Sequence, residues 1–227
     1  MINYQHINKQ SLDNKTIDQL YKDLLEHRWQ FLIIETSNKK YCLTKEKSIF
    51  ELQDEESFVN IANNDTYYKT TINLDKPKKE LFYKKDLDLY QSYLDKYQCQ
   101  MESTLYGDKY LFGSIAVRTK DNNFITTIRG KEDFLEYTIV TNVSHTTHTI
   151  EVTNKKATLN APLLDYLFKN PKVKTIVHIN HSFDDTLPYY DYAFPGTTRD
   201  SQRPNHTSFN IRYHGVIYLF DENKNLL

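Results

Sequence analysis

Two histidines and an amide crowd one stretch of the chain, Val177-His178-Ile179-Asn180-His181, at the end of an apolar run that begins at Val173. Neutral imidazoles are good ligands for zinc and related divalent ions, and a catalytic zinc typically has three protein ligands plus one open position. A further histidine stands in Ile211-Arg212-Tyr213-His214-Gly215-Val216, where Gly215 permits tight backbone packing beside the imidazole. His178, His181 and His214 are therefore the candidate metal ligands, although the same spacing also suits histidines that only make structural hydrogen bonds. On a regular strand, residues two apart share a face and residues three apart do not. His181 thus joins His178 only where a bulge or the strand end intervenes. Asp184 and Asp185 follow at what would be the pocket mouth and are candidate acid–base groups, with solvated turn formation as the alternative. Tyr190, flanked by Tyr189 and Tyr192, is another candidate acid or stacking group, in a chain where 18 tyrosines make packing the default. His145, His148 and His206 read as surface, edge or loop residues.

The elements that would position these side chains follow from periodicity. Ile17, Leu20, Tyr21 and Leu24 form one apolar helical stripe. The runs at Phe31 to Ile34 and Tyr41 to Leu43, separated by a polar turn, predict paired strands. The polar stretch Asn63 to Glu80 reads as turns and a connection, with a domain boundary near Glu80 and a solvated basic linker at Lys76 to Lys85. Asp86 is expected to cap a helix whose face carries Tyr90, Tyr93, Leu94 and Tyr97. Segments 112–118, 123–128, 136–143 and 147–152 predict short strands, mostly antiparallel. Asn160 is placed as the N-cap of a short helix that stops at Asn170-Pro171 and leads into an apolar strand over 173–179. A last strand pair is expected within 209–220.

Bulk properties narrow the classes. With 29 Lys+Arg against 30 Asp+Glu there is no field that would favour nucleic acid or acidic partners. No run approaches the roughly 20 apolar residues of a membrane span, and the start lacks a signal-peptide core, so a cytoplasmic location is expected. Cys42 and Cys99 are far apart and are read as reduced, buried thiols.

One ordered set of segments carries a resemblance. Gly113-Ser114-Ile115-Ala116-Val117-Arg118, Ile125 to Lys131 around Arg129-Gly130, Pro171 to His178, Pro195-Gly196-Thr197, and Tyr213-His214-Gly215-Val216 resemble, in order, motifs of the class II aldolase/adducin family. Gly113, Gly130, Gly196 and Gly215, among only five glycines, fall at glycines of that pattern. The resemblance covers about residues 85 to 220. It implies a three-layer α/β/α fold with a mostly antiparallel central sheet over 81–227; the helix and strand patterns before it predict a small α+β extension over 1–80, with no counterpart in the family. It also implies a zinc-dependent, or other divalent-metal, lyase or epimerase acting on a phosphorylated or nucleotide-linked sugar, assembled as a homo-oligomer. By the same resemblance His178 and His214 are the first and last metal ligands, and Gly113, Ser114, Arg129 and Gly130 hold the substrate phosphate. Two departures stand out: Asn180 occupies the family's second histidine position, and Thr158 to Ala161 offers no carboxylate where the family places its acid–base glutamate. The alternative implied by those departures is an adducin-like binding or assembly module without catalysis.

Overall fold

Aspartates start the first two helices by accepting from backbone N–H groups that no helical carbonyl can reach, Asp13 from Thr16 and Asp54 from Ser57. These helices belong to a computed structural model that describes residues 3–73, 83–105, 108–203 and 207–227. By compactness the chain divides into residues 1–65 with 104–108, and residues 66–103 with 109–227.

The first unit holds β1 (Tyr4–Asn8), α1 (Asn14–Glu26), β2 (Phe31–Glu35), β3 (Lys40–Thr44), β4 (Ile49–Glu51) and α2 (Glu55–Asn64). Its sheet runs β1-β2-β3-β4, with β1 parallel to β2 and the other pairs antiparallel. Phe58 of α2 packs edge-on to Phe31 and Phe50 of that sheet.

The second unit is built on β5 (Lys69–Ile72), α3 (Lys84–Met101), β8 (Ser114–Arg118), β9 (Phe124–Thr127), β10 (Tyr137–Ser144), β11 (Thr149–Val152), α4 (Ala161–Leu167), β12 (Thr175–Asn180), β13 (Tyr189–Tyr190), β14 (Phe209–Ile211) and β15 (Gly215–Phe220). Between α3 and β8, β6 (Glu102–Leu105) and β7 (Asp108–Leu111) pair only with each other. The large sheet is ordered β13-β14-β15-β12-β8-β9-β10-β11-β5 and is antiparallel except at its two ends. Alternation along the strands sends successive side chains to opposite faces. Ile115, Val117, Val177 and Ile179 meet the Tyr90, Tyr93, Leu94 and Tyr97 stripe of α3. Ala116, Ile176, Ile217 and Leu219 meet Leu163, Leu164 and Leu167 of α4. The architecture is a mixed α/β one, with helix, sheet and helix in three layers. No helix among the described residues is long and apolar enough to cross a membrane.

Several expectations are corrected. The boundary placed near Glu80, and much of the basic linker, lie outside the described residues. The division falls instead after Asp65, because Lys69 to Ile72 adds to the large sheet as a strand parallel to β11. Asp86 does not cap α3; it sits inside the first turn and accepts from Lys174 Nζ at 2.8 Å. Cys42 is buried as read, but Cys99 is exposed on α3.

Candidate functional site

Antiparallel pairing brings the start of β8, the end of β9, the end of β12 and the start of β15 to one edge of the sheet. There His178 lies opposite Ser114 on one side and Ile217 on the other, and Asn180 lies opposite Gly215. Directly opposed residues point the same way. His178, Ser114 and Asn180 therefore all face the α4 layer rather than the α3 layer. His214, in the tight connection just before β15, turns its ring to His178, with centroids 4.6 Å apart and planes at 88°.

The backbone is closed tightly around this pair. A Cβ on Gly215, at φ +152, would stand 2.1 Å from the Ile179 carbonyl oxygen, so no other residue lets β15 start where it does. The His181 N–H donates to the His214 carbonyl at 2.8 Å, locking the strand end to the turn. A Cβ on Gly113, at φ +86, would meet the His178 carbonyl at 2.4 Å.

Asn160 was read as a helix cap. It does precede α4, but its side chain caps nothing; its amide lies 2.6 Å from His178 Nδ1 instead. With the amide oxygen turned to Nδ1–H, Nε2 presents its lone pair; with the amide nitrogen donating, Nε2 carries the proton. His178, His214, Asn160 and Asn180 are all buried. His178 Nε2, His214 Nδ1, Asn160 Oδ1, Asn180 Oδ1, Ser114 Oγ and Arg203 Nη2 have no hydrogen-bond partner among the described residues. Buried polar atoms are normally paired, so this group of atoms is the candidate seat for a ligand.

Electrostatics keep the imidazoles neutral. Burial first, then Lys131, His181 and Arg203, bring His178 down to about 3. Burial and the same two histidine and arginine neighbours hold His214 well below its ordinary value, with His178 itself contributing. Lys131 donates to the Gly113 carbonyl at 3.0 Å, and burial lowers its ammonium to about 8. Arg203 is held by Asp200 and by the Asp191 carbonyl.

The other sequence candidates fall around this centre. His181 takes a left-handed conformation at φ 59 and is exposed. It lines a cavity of about 340 Å³ with Gln100, Met101, Glu102, Phe112, Asn180 and Ser182. Asp184 accepts from both Thr186 N and Thr186 Oγ1, which hold its carboxyl below the usual range. Asp185 accepts from Tyr189 Oη. Both serve the turn into β13. Tyr190 packs edge-on to Phe209, whereas Tyr192 is the tyrosine whose ring approaches His214, at 6.2 Å. The anticipated phosphate set splits: Ser114 faces the histidines, while Arg129 and Gly130 are exposed and line a cleft of about 620 Å³ with Lys155 and Lys156. His145 is no simple surface residue, since it bridges Tyr68 Oη and Asp165 Oδ2 at 2.6 and 2.8 Å. His206 lies outside the described residues. Sequence reasoning missed Asn160 as a histidine partner, Lys131 and Arg203; only the Asp200 to Arg203 spacing hinted at the last.

Among the described residues, no group of three or more His, Cys, Asp and Glu side chains is arranged to hold a metal ion. No family model and no curated protein matches the chain. Solved structures do resemble it. YgbL of Escherichia coli, provisionally assigned as an aldolase/epimerase/decarboxylase, superposes with a TM-score of 0.42 at 14% identity, covering 63% of this chain and 80% of that one. Its Klebsiella pneumoniae counterpart gives 0.41 at 14% identity over the same shares. An L-fuculose 1-phosphate aldolase gives 0.41 at 8% identity, covering 61% of this chain and 74% of the other. At these values the likeness is partial, and the chemistry has to be argued from this chain's own residues.

Proposed function

We propose that the chain is a class II aldolase-like enzyme, a lyase or epimerase acting beside a carbonyl of a phosphorylated or nucleotide-linked sugar, with a divalent metal held by His178 and His214. The observation that carries this reading is the pair of buried, neutral imidazoles at 4.6 Å, each with an unpartnered ring nitrogen. The donor set fits a metal if the Asn180 amide oxygen completes it, with the Asn160 amide oxygen accepting from His178 Nδ1–H so that Nε2 is left to bind the ion. Such a mixed nitrogen and oxygen set suits a manganese- or iron-like ion as well as zinc. A bound ion would polarise the substrate carbonyl and stabilise an enediolate. The chain's own residues do the rest. Ser114 Oγ is free to donate to a substrate oxygen. Lys131, with an ammonium that titrates near physiological pH, is the candidate to take up and return the proton in place of the missing glutamate.

A second reading is a non-catalytic, adducin-like binding or assembly module. The neutral Asn160 at the position of the family's carboxylate favours it. Metal content of untagged protein separates the two. About one ion per chain, lost in both His178→Ala and His214→Ala, supports the enzyme. Protein that neither carries nor takes up a metal supports the module. The proposed homo-oligomer is checked on the same samples by light scattering.

A further inference from the structure

Arg203 is a strong, permanent cation of the histidine pocket, and its three nitrogens are in different situations. Nε points to Asp200 Oδ1 at 3.4 Å, and Nη1 donates to the Asp191 carbonyl at 2.9 Å. Nη2 is buried and has no partner among the described residues. The residue as a whole is 7% exposed. Asp200 does not finish the job, because its second oxygen accepts from Gly196 N at 3.4 Å. The Pro195-Gly196-Thr197 turn thus fixes the carboxylate, and the carboxylate fixes the guanidinium. Arg203 is tied to the histidines by contact: it holds the carbonyl of Asp191, whose neighbour Tyr192 packs its ring 6.2 Å from His214, and the Gly196 turn that fixes Asp200 packs on the Leu159 carbonyl, next to the Asn160 that meets His178. A buried guanidinium with an unused N–H, beside neutral imidazoles, is a donor in search of an anion.

We propose that Arg203 makes the histidine pocket an oxyanion site, its Nη2 donating to a carboxylate or phosphate oxygen of the ligand placed against His178 and His214. This rests on the pocket being the ligand site and deepens that reading: the substrate carries its negative charge at the reacting end, next to the histidines. The exposed Arg129 cleft is then not the only place where the ligand's charge is read. Because guanidinium and carboxylate or phosphate match in a forked geometry, replacement of the arginine removes a charge-assisted bond.

The test uses full-length protein with isotope-labelled histidine and follows the His178 and His214 imidazole signals during titration with glycerate, glycerol 3-phosphate and uncharged glycerol. Both signals are assigned by His178→Gln and His214→Gln. The wild type is expected to respond to at least one anion at far lower concentration than to glycerol, and the better of the two names the oxyanion. Arg203→Gln is expected to weaken that anion about 10-fold or more and to leave glycerol unchanged. Arg203→Lys, which keeps the charge and so guards against simple misfolding, is expected to fall between. Histidine signals that answer glycerol and both anions equally would overturn the arginine assignment while leaving the pocket reading intact. Anions that bind without moving either histidine, or that move neither signal at any concentration, would overturn both.

Discussion

Acid should unfold this protein through its histidine pair, and the size of the effect follows from their burial. An unfolded histidine binds a proton with a pKa of roughly 6.5, whereas His178 in the fold is held down to about 3. Between those values the unfolded chain binds the proton and the folded chain does not. The stability is therefore fully present above about pH 6.5 and falls as pH drops toward 3. The slope is about 1.4 kcal/mol per pH unit, so by pH 5 His178 contributes a loss of about 2 kcal/mol. His214 is depressed in the same direction and adds to the loss. Urea unfolding of metal-free protein at several pH values between 7 and 4.5 measures this. Titrating carboxylates add their own slope, so the comparison that counts is with His178→Gln, whose side chain stays neutral throughout. The variant should start less stable at pH 7, and the gap should narrow by about 2 kcal/mol at pH 5. Curves that run parallel for wild type, His178→Gln and His214→Gln would refute the claim that the pair is buried in neutral form.

Other consequences are as direct. Gly215→Ala would press a methyl group 2.1 Å from the Ile179 carbonyl, so β12 and β15 must part and the histidines with them; a loss of at least about 3 kcal/mol is expected by chemical denaturation. His145→Ala breaks the link from Tyr68 to Asp165 and should cost about 1–3 kcal/mol in the same assay without changing metal content. In native protein a thiol reagent should modify Cys99 quickly and Cys42 only after unfolding, counted by mass spectrometry.

Much of the fold was legible because its elements obey strict periods. The α3 stripe, the strands from 114 to 152, the buried run into His178 and the last hairpin all stand where their patterns place them. What was not legible depends on partners distant in the sequence. Lys69 to Ile72 is polar and short, and becomes a strand only because β11 offers it an edge. Asn160 has every local mark of a cap, yet its amide is drawn 18 residues away to His178. The convergence of His178 and His214 was anticipated from ordered motifs. Arg203 was not, because the Asp200 to Arg203 spacing is the one local hint and it suits a surface ion pair equally well.

The amides at 160 and 180 give the site its particular character. Carboxylates there would have supplied negative charge to balance a metal, Lys131 and Arg203; two neutral amides and two neutral imidazoles supply none. The buried carboxylate of Asp200 already engages Arg203 and the Gly196 N–H. Asp200 offsets the charge of Arg203, which leaves Lys131, and a metal if one binds, to be balanced by an incoming anion. Ligand binding and metal binding should therefore favour each other, the anion screening the ion from Arg203. Under the proposed reading, that coupling would favour an anionic ligand over a neutral one.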